Sequence, residues 1–190
     1  MKKYFIYSIL LGMILSSCKK DHSTLLTAQD FPTTVGSWWK YLRLKSDNSI
    51  FDTTTYTILD SQVINGVVHQ RWVETQTGLN APYPDTTSVE VSATGVMFNA
   101  ELNIQFPIID NETWCTPEQG YTYKTNIQNI TVNGTQYNNA AYLNKYTNFG
   151  MGTTVNESYW IVKNIGFVEQ LINDGRGPYL HLTLVSYHIN

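Results

Sequence analysis

Two Asn-Gly pairs, Asn65-Gly66 and Asn133-Gly134, limit most strongly how this chain can fold. Each lies between runs rich in β-branched and aromatic residues. Asn-Gly is the favoured pair for a two-residue type I′ turn, because both central positions need positive φ. A chain that reverses within two residues at both places builds antiparallel strands around them. The flanking runs predict strands over 53–59 and 67–75 for the first hairpin, and over 121–131 and 136–146 for the second.

Composition extends this to the whole chain. Charged residues are 14% and aromatics 13%, with 13 Tyr and 5 Trp, and the polar remainder is rich in Thr and Asn. These are strand and turn residues, and the strong helix formers are scarce, so the fold class is all-β. Further strands are expected over 38–45, 159–163, 166–172 and 179–189, with loops over 80–85 and 173–177. Tyr41 and Arg43 alternate with Leu42 and Leu44, and Trp38-Trp39 puts one indole on each face. Leu180, Leu182 and Leu184 share a parity that should face the core. The sum is about ten antiparallel strands closing into a curved sheet, an incomplete barrel or a sandwich.

An internal repeat is a further expectation. Phe31-Pro32 stands as far before Trp39 as Phe106-Pro107 does before Trp114, and each pair precedes an Asn-Gly hairpin and then a Gly-led segment at Gly95 or Gly166. The competing explanation is coincidence in a chain crowded with Asn, Gly and aromatics.

The amino terminus gives an address. Lys2 and Lys3 precede an uncharged apolar run over 4–15, too short to span a bilayer, and this is the order of a secretory signal. Leu15-Ser16-Ser17-Cys18 resembles the lipobox of bacterial lipoproteins. That resemblance implies a signal peptide over 1–17, lipidation at Cys18 by fatty acyl groups such as palmitate, a lipidated tether over 18–30 and a single β-rich domain over 31–190. The membrane is then a partner through the lipid, which gains about 0.8 kcal/mol per buried methylene. Lys19-Lys20-Asp21 resembles the Lys-then-acidic start of Bacteroidetes lipoproteins exported to the outer membrane, with one acid where the fuller pattern has two. The expected location is the outer membrane of the cell envelope, with surface exposure as an extension of it.

Charge and cysteine count exclude other classes. The chain has 12 Lys+Arg against 15 Asp+Glu, and loss of Lys2 and Lys3 with the signal leaves 10 against 15, which argues against a nucleic-acid partner. Cys18 and Cys115 are the two cysteines, so lipidation of the first removes any intramolecular disulfide. Cys115 is expected to be a buried structural thiol.

No motif compels a chemistry. Asp60, Glu74, Asp85, Glu90, Asp110, Glu112 and Glu157 offer formal pairs for a glycosidase, but none sits in a signature. His181 and His188, seven apart on one strand, should point to opposite faces unless a bulge intervenes. A serine-hydrolase elbow and a phosphate-binding glycine loop are missing from the sequence. No catalytic residue, metal site or cofactor is expected, and the chain reads as a non-enzyme. Trp38, Trp39, Trp72, Trp114 and Trp160 could line a ligand surface or fill the core.

Phe31-Pro32 through Gly36-Ser37-Trp38, taken with Ile165-Gly166-Phe167-Val168 and Leu184-Val185-Ser186-Tyr187, is similar to uncharacterised Bacteroidetes lipoproteins that open with Phe-Pro-Leu-x-x-Gly-x-x-Trp. The chain departs from that pattern at Thr33 and Asn164. The resemblance implies a β-rich envelope protein. The functional expectation is an envelope lipoprotein binding an apolar or glycan ligand, or a partner protein, on an aromatic-lined concave sheet. A structural or assembly component of the envelope is the second reading, and a glycosidase-type hydrolase the third.

Overall fold

The computed structural model describes residues 24–77, 84–99, 101–116, 120–148, 154–173 and 178–190. Strand β1 (Thr24–Leu26) and a 3-10 turn (Ala28–Asp30) precede a six-stranded meander: β2 (Trp38–Leu44), β3 (Ile50–Ile64), β4 (Val67–Thr77), β5 (Asp85–Ser92), β6 (Gly95–Phe98) and β7 (Leu102–Gln105). The short β8 (Ile108–Ile109) leads into a second meander of six: β9 (Thr113–Thr116), β10 (Tyr121–Val132), β11 (Thr135–Asn148), β12 (Thr154–Val162), β13 (Gly166–Asn173) and β14 (Pro178–His188). Strand β2 pairs antiparallel with β14, so the two meanders form one 12-stranded sheet with β7 and β9 at its edges. It curls without closing into a barrel. β8 pairs with β1 instead, and the Asn103 amide of β7 donates to the Tyr123 hydroxyl of β10 at 3.3 Å, bringing the two edges of the sheet toward each other.

The all-β expectation holds, and of the three shapes anticipated the molecule takes the open, curved sheet. Both Asn-Gly pairs make the expected turns, with φ of 51° and 80° at Asn65 and Gly66 and 47° and 81° at Asn133 and Gly134. The order of elements is the same in both halves. A Trp-bearing strand opens each meander, Asn-Gly joins its second and third strands, and Gly95 or Gly166 opens its fifth.

Alternation sets one continuous core on the concave face. Trp39, Tyr41, Ile58, Trp72, Val89, Leu143, Tyr159, Ile161, Val168, Leu182 and Leu184 are all buried in it. Each large apolar side chain so buried contributes roughly 1.5–3 kcal/mol. Leu182 and Leu184 face inward as their spacing requires, with Leu180 packed against the same cluster.

Three expectations are corrected. The folded unit begins before Phe31: Thr24 and Leu26 pair with Ile109 and Ile108, and Leu26 is 1% exposed, because β1 covers apolar surface at the open side of the sheet. Cys115 is exposed rather than buried. It lies between Trp114 and Thr116, whose polar atoms are buried, so strand alternation sends the thiol outward. His181 and His188 do meet the bulge that would defeat their alternation, a register shift between Leu184 and Ser186. They still have separate partners, Glu169 at 2.7 Å and Asn190 at 2.7 Å. Most of the predicted loop over 80–85 and of the turn over 173–177 lies outside the described residues; Asp85 itself opens β5.

Candidate functional site

The curl brings inward side chains of both meanders around a cavity of about 410 Å³. That volume falls in the range of small-molecule pockets, about 300–1,000 Å³. The first meander contributes Tyr41, Tyr56, Trp72, Thr87, Phe98 and Leu102, and the second Lys145, Glu157, Tyr159, Phe167, Gln170, Ile172 and Leu182.

One end is closed by the segment that enters β2. Phe31 is 3% exposed and packs on Trp72, Phe98, Phe106 and Phe167, with ring centroids no more than 6.4 Å away. Trp39 stacks on Trp72 at 4.8 Å and donates its indole N–H to the Ile165 carbonyl, while the Tyr41 hydroxyl donates to the Phe167 carbonyl at 2.9 Å. Asp30 holds the segment to the β12–β13 turn, through Lys163 at 2.9 Å and through its own carbonyl, which accepts the Asn164 amide at 2.8 Å. Gly36 has φ of 86°, and a Cβ there would meet Asn190 Nδ2 at 2.4 Å, so the position requires glycine. Phe31, Gly36 and Trp39 are thus parts of one end cap. Asn99 and Glu101, exposed residues of the β6–β7 turn, line the opening.

The polar wall comes from β11, β12 and β13. Lys145 and Glu157 are cross-strand neighbours, 2.8 Å apart, with side chains only 5% and 15% exposed. The Tyr159 hydroxyl donates to the second oxygen of Glu157, and the Lys145 ammonium lies 4.1 Å from the centre of the Tyr121 ring. Both carboxylate oxygens are therefore paired, as a buried charge requires. Burial pushes the Tyr159 hydroxyl well above its ordinary value, and the Glu157 charge adds to the effect. Burial also raises Tyr41 and Tyr56, the latter helped by Glu74, and takes Tyr123 up to about 12 against the opposing hydrogen bond from Asn103. At neutral pH these hydroxyls are protonated donors.

The five indoles do not share one surface. Trp72 lines the cavity but is only 5% exposed, so no face of its ring is free. Trp39 is core at 1% exposure. Trp38 stacks on His188, and Trp160 packs on Tyr142, each with the parity opposite to its inward neighbour. Trp114 stacks on Tyr123 at the β9 edge, and its buried indole nitrogen has no hydrogen-bond partner among the described residues, nor has Thr116 Oγ1. Cys18 lies outside the described residues. No group of three metal-capable side chains occurs among the described residues.

Sequence reasoning named Glu157 only as one carboxylate among many and did not single out Lys145, Tyr159 or Gln170. A signal existed. Ala141, Leu143 and Lys145 share one parity of a strand, and Ala141 and Leu143 are fully buried, so an ammonium on that face needs a buried partner.

No protein-family model matches the chain, and no curated protein matches it in sequence. Solved structures share the fold. A putative exported protein with a YMCC-like fold from Bacteroides fragilis is 9% identical with a TM-score of 0.55, over 83% of this chain and 98% of that one. A putative lipoprotein from Parabacteroides distasonis is 10% identical with a TM-score of 0.55, over 83% of this chain and 97% of that one. In its fold, therefore, the chain is similar to a putative exported protein and a putative lipoprotein of Bacteroidetes.

Proposed function

We propose that this protein is a non-enzymatic lipoprotein, tethered to the outer membrane through acyl chains on Cys18, that binds a small ligand inside its curved sheet. The observation that carries this reading is the cavity itself, about 410 Å³ and built jointly by the two meanders around half-buried aromatic rings and a few fixed polar groups. Those are the features of binding pockets. Glu157, the buried carboxylate of the wall, is held by Lys145 and Tyr159, which suits a fixed surface better than a group that must exchange protons. The test is mass spectrometry of small molecules retained by the domain beginning at Ser23. A stoichiometric ligand displaced by filling the cavity with Thr87→Trp supports the reading. Empty protein, together with blank lipid and glycan arrays, removes it.

One feature favours contact with a partner protein as a second reading. The tip of the β3–β4 hairpin presents Val63 at 67% and Ile64 at 44% exposure. Loss of a co-purifying envelope protein on Val63→Asp, with the fold intact, is the expected result if that tip is an interface.

A further inference from the structure

We propose, resting on the cavity reading above, that the ligand is a neutral saccharide rather than an acyl chain or an ion. The cavity is amphipathic. Tyr56, Phe98 and Phe167 present half-buried rings, the last two 5.4 Å apart. Lys145, Glu157 and Gln170 place an ammonium, a carboxylate and an amide on neighbouring strands.

The hydrogen-bonding inventory of that wall narrows the ligand. An ammonium only donates, an ionised carboxylate only accepts, and an amide does both. Glu157 occupies one of the three donors of Lys145, so an acceptor in the cavity can still reach the ammonium. A hydroxyl both donates and accepts through a single oxygen, and so can serve all three. An alkyl chain laid along the same wall would strip water from Lys145 and Glu157 and return nothing, which is costly at low dielectric. An anion would face Glu157 and, at the opening, Glu101; a cation would face Lys145. The paired charges cancel and so select a neutral molecule. A pyranose ring carries C–H groups over one face and hydroxyls around its rim, matching the rings and the polar wall together.

The test uses the full lipidated chain in nanodiscs and saturation-transfer NMR with glucose, galactose, N-acetylglucosamine, maltose and cellobiose at millimolar concentration. The expected result is transfer to at least one of these, strongest at the C–H protons of one ring face. Gln170→Ala should weaken that saccharide by about tenfold, the size of one hydrogen bond. Lys145→Met combined with Glu157→Met removes both charges without orphaning either, so the protein should still melt cooperatively, yet lose saccharide binding. Equal binding by the double variant and the parent would overturn the proposal. No transfer from any saccharide, with an acyl chain retained by the lipid-free domain beginning at Ser23, overturns it while leaving the cavity reading in place. No transfer and no small molecule of any kind retained by that lipid-free domain overturns both.

Discussion

The two Asn-Gly hairpins begin from the same local instruction and end in opposite environments. Both turns have the same backbone, and both hairpins carry an irregularity below the tip. In β3–β4 a single extra residue, Leu59, interrupts the ladder between Ile58 and Asp60, and the tip beyond it projects Val63 and Ile64 into solvent. In β10–β11 the break passes Asn129 on one strand and Asn138 with Asn139 on the other, where Asn129 Oδ1 accepts the Asn139 amide at 3.0 Å. Bulges bend a strand and increase its twist. Here the bent tip folds onto β14, where Val132 is 4% exposed and the Asn133 amide donates to Thr183 Oγ1 at 3.0 Å and to the Leu184 carbonyl at 2.7 Å. The turn is set by two residues, whereas docking is set by what the rest of the sheet places beneath them.

Alkali is the perturbation expected to have the largest effect, and it should not discriminate between the halves. Tyr41 and Tyr56 of the first meander and Tyr123 and Tyr159 of the second all have hydroxyls raised above the ordinary 10.0 by burial. A group whose folded value is raised stabilises the fold fully below its unfolded value and loses that contribution as pH rises toward the folded one. Stability should therefore hold up to about pH 10 and fall steeply above it. Absorbance at 295 nm and near-UV circular dichroism should change together. Tyrosines that all ionise near pH 10 with the fold intact would contradict their burial.

Ion pairs separate the halves more sharply. Lys145–Glu157 on β11–β12 is almost wholly buried, whereas Arg71–Asp60 on the free hairpin has both side chains 55% exposed. Lys145→Met leaves a buried carboxylate without its cation and should cost about 3–5 kcal/mol. Arg71→Met should cost less than about 1 kcal/mol. Chemical denaturation reads both, and equal costs would mean that Glu157 is better solvated than its surroundings indicate.

Apolar contacts at the tips come next. Val132→Ala should cost about 2 kcal/mol, as expected for removing two buried methyl groups. Val63→Ala should stay within about 0.5 kcal/mol. The shift belongs in the denaturation midpoint at unchanged slope. A large effect at Val63 would mean that the exposed tip is covered in solution.

How much of this was legible depends on the range of the interaction. The turns at Asn65 and Asn133, the inward leucines of β14 and the outward and inward indoles of Trp38-Trp39 are consequences of φ preference and alternation, and a few residues carry them. The exposed thiol of Cys115 was also within reach, since Trp114 and Thr116 claim the inner face, but hydrophobicity of the residue type pointed the other way. What the chain does not display locally is partnership across the curl. β1 finds β8 more than eighty residues away, as the Thr24–Ile109 pair records. The cavity wall gathers Tyr56 and Gln170 from different meanders. Bulges were invisible as well, and they decided both the faces of His181 and His188 and the fate of the two hairpin tips.

Asn133 and Asn65 allow the docking contribution to be isolated, because both occupy left-handed backbone. Alanine at either position pays a similar conformational cost, roughly 1 kcal/mol. Asn133→Ala additionally removes the amide that satisfies Thr183 and the Leu184 carbonyl, so it should exceed Asn65→Ala by about 1 kcal/mol. Glycine gives the cleaner version of the comparison. Asn65→Gly keeps the turn and should leave stability nearly unchanged, while Asn133→Gly keeps the turn and still loses the two hydrogen bonds. Amide exchange at the tip should follow the same division, with Thr135 protected in the parent and exchanging as fast as Val67 once Asn133 is replaced. If both glycine variants behave alike, the second tip is held by Val132 alone, and the difference between the hairpins reduces to one buried side chain.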